Sequence, residues 1–196
     1  MFGLPAYRRP EPVLAGSRVK LRLPRRSDYR EWAALRRASR DFLVPWEPRW
    51  GADELERRAW RERMRRYRAE FNTGAAVPFL IFDVENGALV GGITLSNIRY
   101  GVAQCASVGY WIGEPHAGKG LMLEALELVS VYAFNRLRLH RLEAACIPDN
   151  NRSVRVLEKA GFAREGLLNS YLKINGIWQD HFLYARLADS QERAPQ

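Results

Sequence analysis

Val19, Leu21 and Leu23 alternate with Lys20 and Arg22, the period-two pattern of a half-buried strand, here over residues 17–23 and stopped by Pro24. Ser27 is then an N-cap signal. Asp28 and Glu31 follow it in a first turn where the helix dipole favours anions, and Trp32, Leu35 and Phe42 continue at helical spacing. Pro45-Trp46-Glu47-Pro48 interrupts this helix as a loop. Over residues 53–71, Leu55, Ala59, Trp60, Met64, Tyr67 and Phe71 trace one stripe of a second helix, with seven arginines spread mainly over its other faces. After Gly74 the period changes. Residues 77–84 and 88–97 are β-rich runs joined by Asn86-Gly87, read as a type I′ hairpin, and residues 106–112 form a third run. A glycine-rich segment at 113–120 leads into a helix with Met122, Ala125, Leu126, Val129 and Ala133 on one side. Residues 139–147 read as a strand, 148–151 as turn and cap, and 153–160 as a short helix ended by Gly161. Two last strands, 168–174 and 177–187, meet at Asn175-Gly176.

This order predicts one α/β domain over residues 16–188. Its mixed, mostly antiparallel sheet has about six to seven strands and carries about four helices. Residues 1–15, with Pro5, Pro10 and Pro12, read as a loose lead-in, and 189–196 as a flexible tail.

Composition narrows the classes. The 196 residues are 47% hydrophobic and 27% charged, which suits one well-cored domain and excludes collagen-like, coiled-coil and wholly disordered chains. The net charge of +9 is uneven: residues 1–68 hold 19 basic and 9 acidic side chains, residues 69–196 hold 12 and 13. A fold carried by the later two thirds therefore need not bind nucleic acid, although the first third could touch acidic partners. Cys105 and Cys146 sit in apolar runs and make no disulfide framework, so a cytoplasmic location is expected. No signal-peptide core or run of about 20 apolar residues is present, and no membrane span is expected. His116, His140 and His181 lack metal-ligand spacing, and no metal is expected.

The segment Gly113-Glu-Pro-His-Ala-Gly118-Lys119-Gly120 is the strongest chemical signal. Successive backbone N–H groups at a helix N-terminus form an anion cradle that needs no charged side chain. The segment nearly satisfies a nucleoside-triphosphate loop, but Gly120 stands where a Ser or Thr hydroxyl would hold Mg²⁺. A glycine-rich connection with no ligand is the plain alternative.

The wider pattern decides between them. Pro45-Trp-Glu-Pro, Leu95-Ser-Asn-Ile, Gly109-Tyr-Trp-Ile-Gly, Gly118-Lys-Gly-Leu-Met, His140-Arg-Leu-Glu-Ala, Pro148-Asp-Asn-Asn-Arg-Ser, Leu157-Glu-Lys-Ala-Gly-Phe and Gly176-Ile-Trp-Gln-Asp-His-Phe occur in this order. Over residues 17–188 the chain resembles the GNAT acetyltransferases, and among them the ribosomal-protein-alanine N-acetyltransferases of the RimJ type. The resemblance implies a GNAT-type sheet splayed at a coenzyme A site, with acetyl-CoA as co-substrate. It implies that main-chain amides of Ala117, Gly118, Lys119, Gly120 and Leu121 hold the pyrophosphate. Pro115 departs from the family's pattern and removes one N–H. It implies further that Trp111 and Ile112 pair their backbone with the pantetheine arm and that Asn150 hydrogen-bonds it.

Acetyl transfer to an amine needs a neutral nucleophile and a proton for the departing thiolate. An α-amino group, with a pKa of about 7.7–8.0, is partly neutral at pH 7, so a weak base suffices. By resemblance that base is Glu143, whose neighbours Leu142, Ala144 and Ala145 would leave it poorly solvated; an alternative is a structural carboxylate paired with Arg141. Many relatives place an acidic tyrosine where Leu157 stands, so the proton donor is carried to Ser153, with Tyr171 in reserve. Ser153 could instead merely bond the backbone at a helix start. Trp46, Glu47, Tyr171 and Asp180 are the expected acceptor-binding residues. The implied acceptor is a protein N-terminus, that of a small-subunit ribosomal protein beginning with alanine; a small amine or antibiotic is the alternative acceptor. A non-catalytic basic binding module would have no use for the loop together with Asn150 and Ser153. The arginines of helix 57–68 suggest a weak RNA contact, and the chain reads as a monomer or homodimer.

Overall fold

The computed structural model describes residues 10–188. Eight strands form one sheet: β1 (Val13–Ala15), β2 (Val19–Arg22), β3 (Val77–Asp83), β4 (Leu89–Arg99), β5 (Cys105–Ile112), β6 (Arg141–Cys146), β7 (Ala163–Ile174) and β8 (Ile177–Leu187), in the spatial order β1-β2-β3-β4-β5-β6-β8-β7. Five α-helices accompany them: α1 (Tyr29–Ala38), α2 (Arg40–Leu43), α3 (Arg57–Thr73), α4 (Leu121–Asn135) and α5 (Asn151–Lys159). β3 is buried without interruption from Val77 to Ile81, as expected of a strand covered on both faces. One apolar cluster holds Leu126, Val129, Leu142 and Leu157 with α4 and α5. A second holds Trp32, Trp60, Met64 and Leu80 with α1 and α3, and Trp111 packs against it.

The pairing of β5 with β6 is parallel and covers three residues, Cys105–Ser107 against Arg141–Glu143, while the other neighbouring strands pair antiparallel. Past Ser107 and Glu143 the strands part. β5 stays paired with β4 and β6 with β8, so the sheet opens into a gap bounded by two strand edges.

Several elements differ from the sequence reading. The expected lead-in contributes β1 from residues 13–15, while residues 1–9 and the expected tail at 189–196 lie outside the described residues. Asp28, not Ser27, organises the start of α1: its carboxylate accepts the Arg25 N–H at 2.7 Å and is gripped by both terminal nitrogens of Arg22. The first helix is broken at Ser39, which is fully buried and whose hydroxyl accepts the Glu114 N–H at 2.9 Å. The second helix begins at Arg57 rather than residue 53. The type I′ geometry, with positive φ at both central residues, occurs at Asn175 (45°) and Gly176 (89°). At Asn86-Gly87 only Gly87 has positive φ, and the Asn86 side chain accepts the Ala88 N–H instead.

Candidate active site

Backbone direction alternates along β5, and this decides which groups border the gap. The Gly113 N–H bonds Val90 of β4, and a Cβ on Gly91 would lie 2.4 Å from the Trp111 carbonyl oxygen, so Trp111 is directed at β4. At the other end, Gln104 offers its carbonyl to the N–H groups of His140 and Arg141. Even-numbered positions thus face β6, and beyond the parallel pairing these are Val108, Tyr110 and Ile112. Of the two residues expected to meet a pantetheine arm, Ile112 therefore turns its backbone toward the gap and Trp111 turns its backbone toward β4, while Tyr110 also borders the gap. The Trp111 indole lies on the other face, 5.0 Å from the Arg36 guanidinium.

The glycine loop meets α4 at the mouth of the gap. Gly118 and Gly120 both have φ of 76°, the left-handed region that glycine adopts freely. Among the described residues, no acceptor is paired with the N–H groups from Gly118 through Leu123; Glu124 is the first to bond back, to Gly120 at 3.2 Å. Six successive amides are therefore available to an anion, and the space over Gly118 is open. Ala117 is not one of them, because its N–H is committed to the Glu114 carbonyl at 3.1 Å. These amides fit the pyrophosphate of coenzyme A.

On the α4 and α5 side of the gap, Asn150 caps α5 by accepting the Ser153 N–H at 3.1 Å. The Ser153 hydroxyl is 2.7 Å from the Tyr110 hydroxyl, and the Cys146 thiol also lies within its hydrogen-bonding reach. Burial raises the Tyr110 pKa, opposed by the bond to Ser153. Burial likewise pushes the Cys146 thiol up to about 11, so it stays protonated at neutral pH and is a poor nucleophile. Leu157 is fully buried in the core. The pairing of Ser153 with Tyr110 was missed in the sequence: alternation along β5 puts Tyr110 and Trp111 on opposite faces, but no local signal says which of the two meets α5.

Glu143 lies on the opposite face, beside Ser107 in register. The apolar setting expected for it is absent. Arg141 Nε donates to its carboxylate at 2.8 Å, Arg99 stands 3.8 Å from the other oxygen, and Arg141 also grips Glu165. Of the expected acceptor residues, Glu47 is engaged internally: its carboxylate receives Arg36 and the Trp50 indole N–H, and its carbonyl receives the Asn175 N–H at 2.9 Å. Asp180 accepts the Ser170 N–H at 2.7 Å and so satisfies a bulge in β7. Both Glu47 oxygens are thus engaged, whereas Asp180 is exposed and uses only one of its oxygens in that bond. Trp46 is half-buried in the turn that Glu47 ties to the β7–β8 hairpin. Tyr171 is exposed on β7, edge-on to the buried His181 ring, and among the described residues the Ser153 hydroxyl pairs with Tyr110 rather than with Tyr171.

An amide cradle at a helix N-terminus, placed beside a gap between parallel strands with the Ser153 hydroxyl at its edge, fits an acyl-CoA-dependent N-acyltransferase, the class to which the family match assigns the chain. Residues 18–163 match the acetyltransferase (GNAT) domain, and the chain belongs to that family. It is 36% identical over 181 residues to the Bacillus subtilis protein named "Probable N-acetyltransferase YjcK", covering 92% of this chain and 100% of that one. It is 34% identical over 187 residues to the Escherichia coli [ribosomal protein uS5]-alanine N-acetyltransferase, covering 94% and 95%. The structure of Mycobacterium smegmatis RimJ in complex with CoA-disulfide superposes with a TM-score of 0.83 at 36% identity, covering 94% of this chain and 88% of that one. Acetyl-CoA is the co-substrate of this chain. No helix of the described residues is long and apolar enough to cross a membrane.

Proposed function

We propose that this chain acetylates the N-terminal α-amino group of a protein, namely a small-subunit ribosomal protein that begins with alanine. The observation that carries this reading is the 34% identity to the uS5-alanine enzyme across 94% of the chain, which includes the acceptor-side loop and hairpin as well as the coenzyme A loop. Its setting is the cytoplasm, where ribosomal proteins are made.

Acetyl-CoA, once bound, supplies an activated acyl carbon and a thiolate leaving group. The amides from Gly118 to Leu123 hold its pyrophosphate, and the edges at Tyr110 and Ile112, with Asn150, align the arm so that the reacting carbon stays put. Ser153 donates its proton to the departing sulfur: the O–H bond breaks and an S–H bond forms. The proton released by the amine as the amide forms restores the serine through water. Glu143, 26% exposed on the acceptor face, acts before the attack: it takes the extra proton of the incoming ammonium and releases it to solvent, so that the amine arrives neutral. A carboxylate is a weak base, adequate for an α-amine and inadequate for a lysine near 10.4, which selects N-termini.

The arginine-rich face of α3 meets ribosomal RNA beside the substrate in this reading. A groove of about 620 Å³ lies there, rimmed by Arg25, Arg26, Arg65 and Arg68 over Met64 and Tyr67. Arg25, Arg26 and Arg61 have no ion-pair partner among the described residues, whereas Arg58, Arg66 and Arg63 are paired with Glu62, Glu70 and Glu54.

The test incubates the enzyme and acetyl-CoA with peptides of varied first residue, lysine-bearing blocked peptides and small amines, and reads the products by mass spectrometry. Acetylation confined to free N-termini, strongest with alanine, is expected. Transfer to small amines with peptides left untouched would replace this reading with the small-molecule one.

A further inference from the structure

The carbonyl groups of the glycine loop have a partner from the far end of the sheet. Arg18, just before β2, donates from Nη1 to the Lys119 carbonyl at 3.0 Å and from Nη2 to the Gly120 carbonyl at 3.3 Å. Its Nε donates to Glu124 in the first turn of α4 at 3.0 Å. The other Glu124 oxygen accepts the Arg18 backbone N–H at 2.9 Å and the Ser17 hydroxyl at 3.1 Å. The approach is close: a Cβ on Gly16 would fall 2.2 Å from that oxygen, and one on Gly120 would fall 3.2 Å from the guanidinium.

In an uninterrupted helix the Lys119 carbonyl would accept the Leu123 N–H. Here the left-handed turn at Gly120 swings that carbonyl out, Arg18 receives it, and the Leu123 amide is left for the ligand. Oxygen dipoles on the ligand's side would repel a pyrophosphate; drawn back toward Arg18, they leave a surface of N–H groups. Glu124 neutralises the guanidinium, so Arg18 adds no net cation at the positive end of the helix.

We infer that Arg18 is a positioning residue for the donor substrate, holding the loop in the conformation that binds pyrophosphate without touching it. The inference rests on the reading of residues 118–123 as the pyrophosphate site. The fork matters more than the charge: two carbonyls and a carboxylate are held by one planar group, which a lysine ammonium cannot reproduce.

Two donors separate this role from a general loss of structure, acetyl-CoA and S-acetylpantetheine, which keeps the thioester and lacks the pyrophosphate. The measured quantity is the ratio of their kcat/KM values in wild type, Arg18→Met and Arg18→Lys. Arg18→Met should lower the ratio about tenfold, the range of one or two hydrogen bonds, and Arg18→Lys should lower it nearly as far. An unchanged ratio in both variants, whatever the absolute rates, overturns the inference. Full retention by Arg18→Lys alone also overturns it, because a charge contact with phosphate would then suffice. If Arg18→Met does not fold, the lysine variant decides between the same outcomes. A wild-type ratio near one would refute the pyrophosphate site itself, a failure distinct from that of Arg18.

Discussion

The two sides of the cleft are built from different materials. The coenzyme A side is made of main chain: left-handed glycines, amides without internal partners, and strand edges bared where the sheet opens. The acceptor side is made of side chains, several already bonded within the fold, as in Arg36 with Glu47, Arg141 with Glu143, and Asp180 with the Ser170 N–H in the bulge of β7. A backbone site recognises a feature common to every donor and tolerates little change in conformation. A side-chain site can be respecified residue by residue while the fold stands, which is why the donor is fixed by family and the acceptor is not.

The sharpest break of this contrast is Gly120→Val. A β-branched residue at φ of 76°, pressed against the Arg18 guanidinium, should weaken coenzyme A binding by about 100-fold or more in calorimetry. Gly118→Ala sharpens it, because open space there leaves only the backbone cost, about 1 kcal/mol or fivefold.

Ser153→Ala should lower kcat by about 100-fold while coenzyme A affinity changes less than about twofold. A loss of affinity equal to the loss of rate would make Ser153 a binding residue and erase its chemical role.

Glu143→Gln should reduce turnover of an alanine peptide about tenfold at pH 7 and progressively less above about pH 8, where the amine is already neutral. A pH–rate profile parallel to wild type would remove Glu143 from proton transfer and leave it as the partner of Arg141.

Replacing Arg61, Arg65 and Arg68 by Gln should cost about fivefold on an assembled ribosomal particle and nothing on a short peptide. The loss should be largest at low salt and shrink as salt rises, because counterion release weakens the wild-type contacts faster than those of the variant. Equal rates on both substrates would assign these arginines to solubility.

The smallest effect concerns stability. Burial works against the Glu124 carboxylate, but the Arg18 N–H, the guanidinium and the Ser17 hydroxyl outweigh it and hold its pKa below the ordinary value. A depressed folded-state pKa stabilises above the unfolded value and loses that increment as pH falls through the folded one. Glu124→Gln should therefore cost about 1 kcal/mol in urea melts at pH 7, and the difference should vanish in acid. A gap that persists in acid would deny the carboxylate its part in the clamp.

Much of this was legible in the chain. Alternation at Val19, Leu21 and Leu23, the stripe from Leu55 to Phe71 and the glycines at 118 and 120 each encode a local geometry, since period and φ preference act over a few residues. Strand and helix counts came close; the three-residue β1 and the break at Ser39 escaped, because the first is held by an edge pairing and the second by a bond from Glu114. The sequence by itself determined which segments could be strand, helix or anion loop. Tertiary structure alone decided that Tyr110 rather than Trp111 borders the gap, that Glu143 and Glu47 are matched with arginines, and that Arg18 reaches Lys119 across 101 positions of chain. Such contacts join residues whose separation in sequence carries no periodic signal, and they form only once the packing of the sheet and α4 brings them within hydrogen-bond distance.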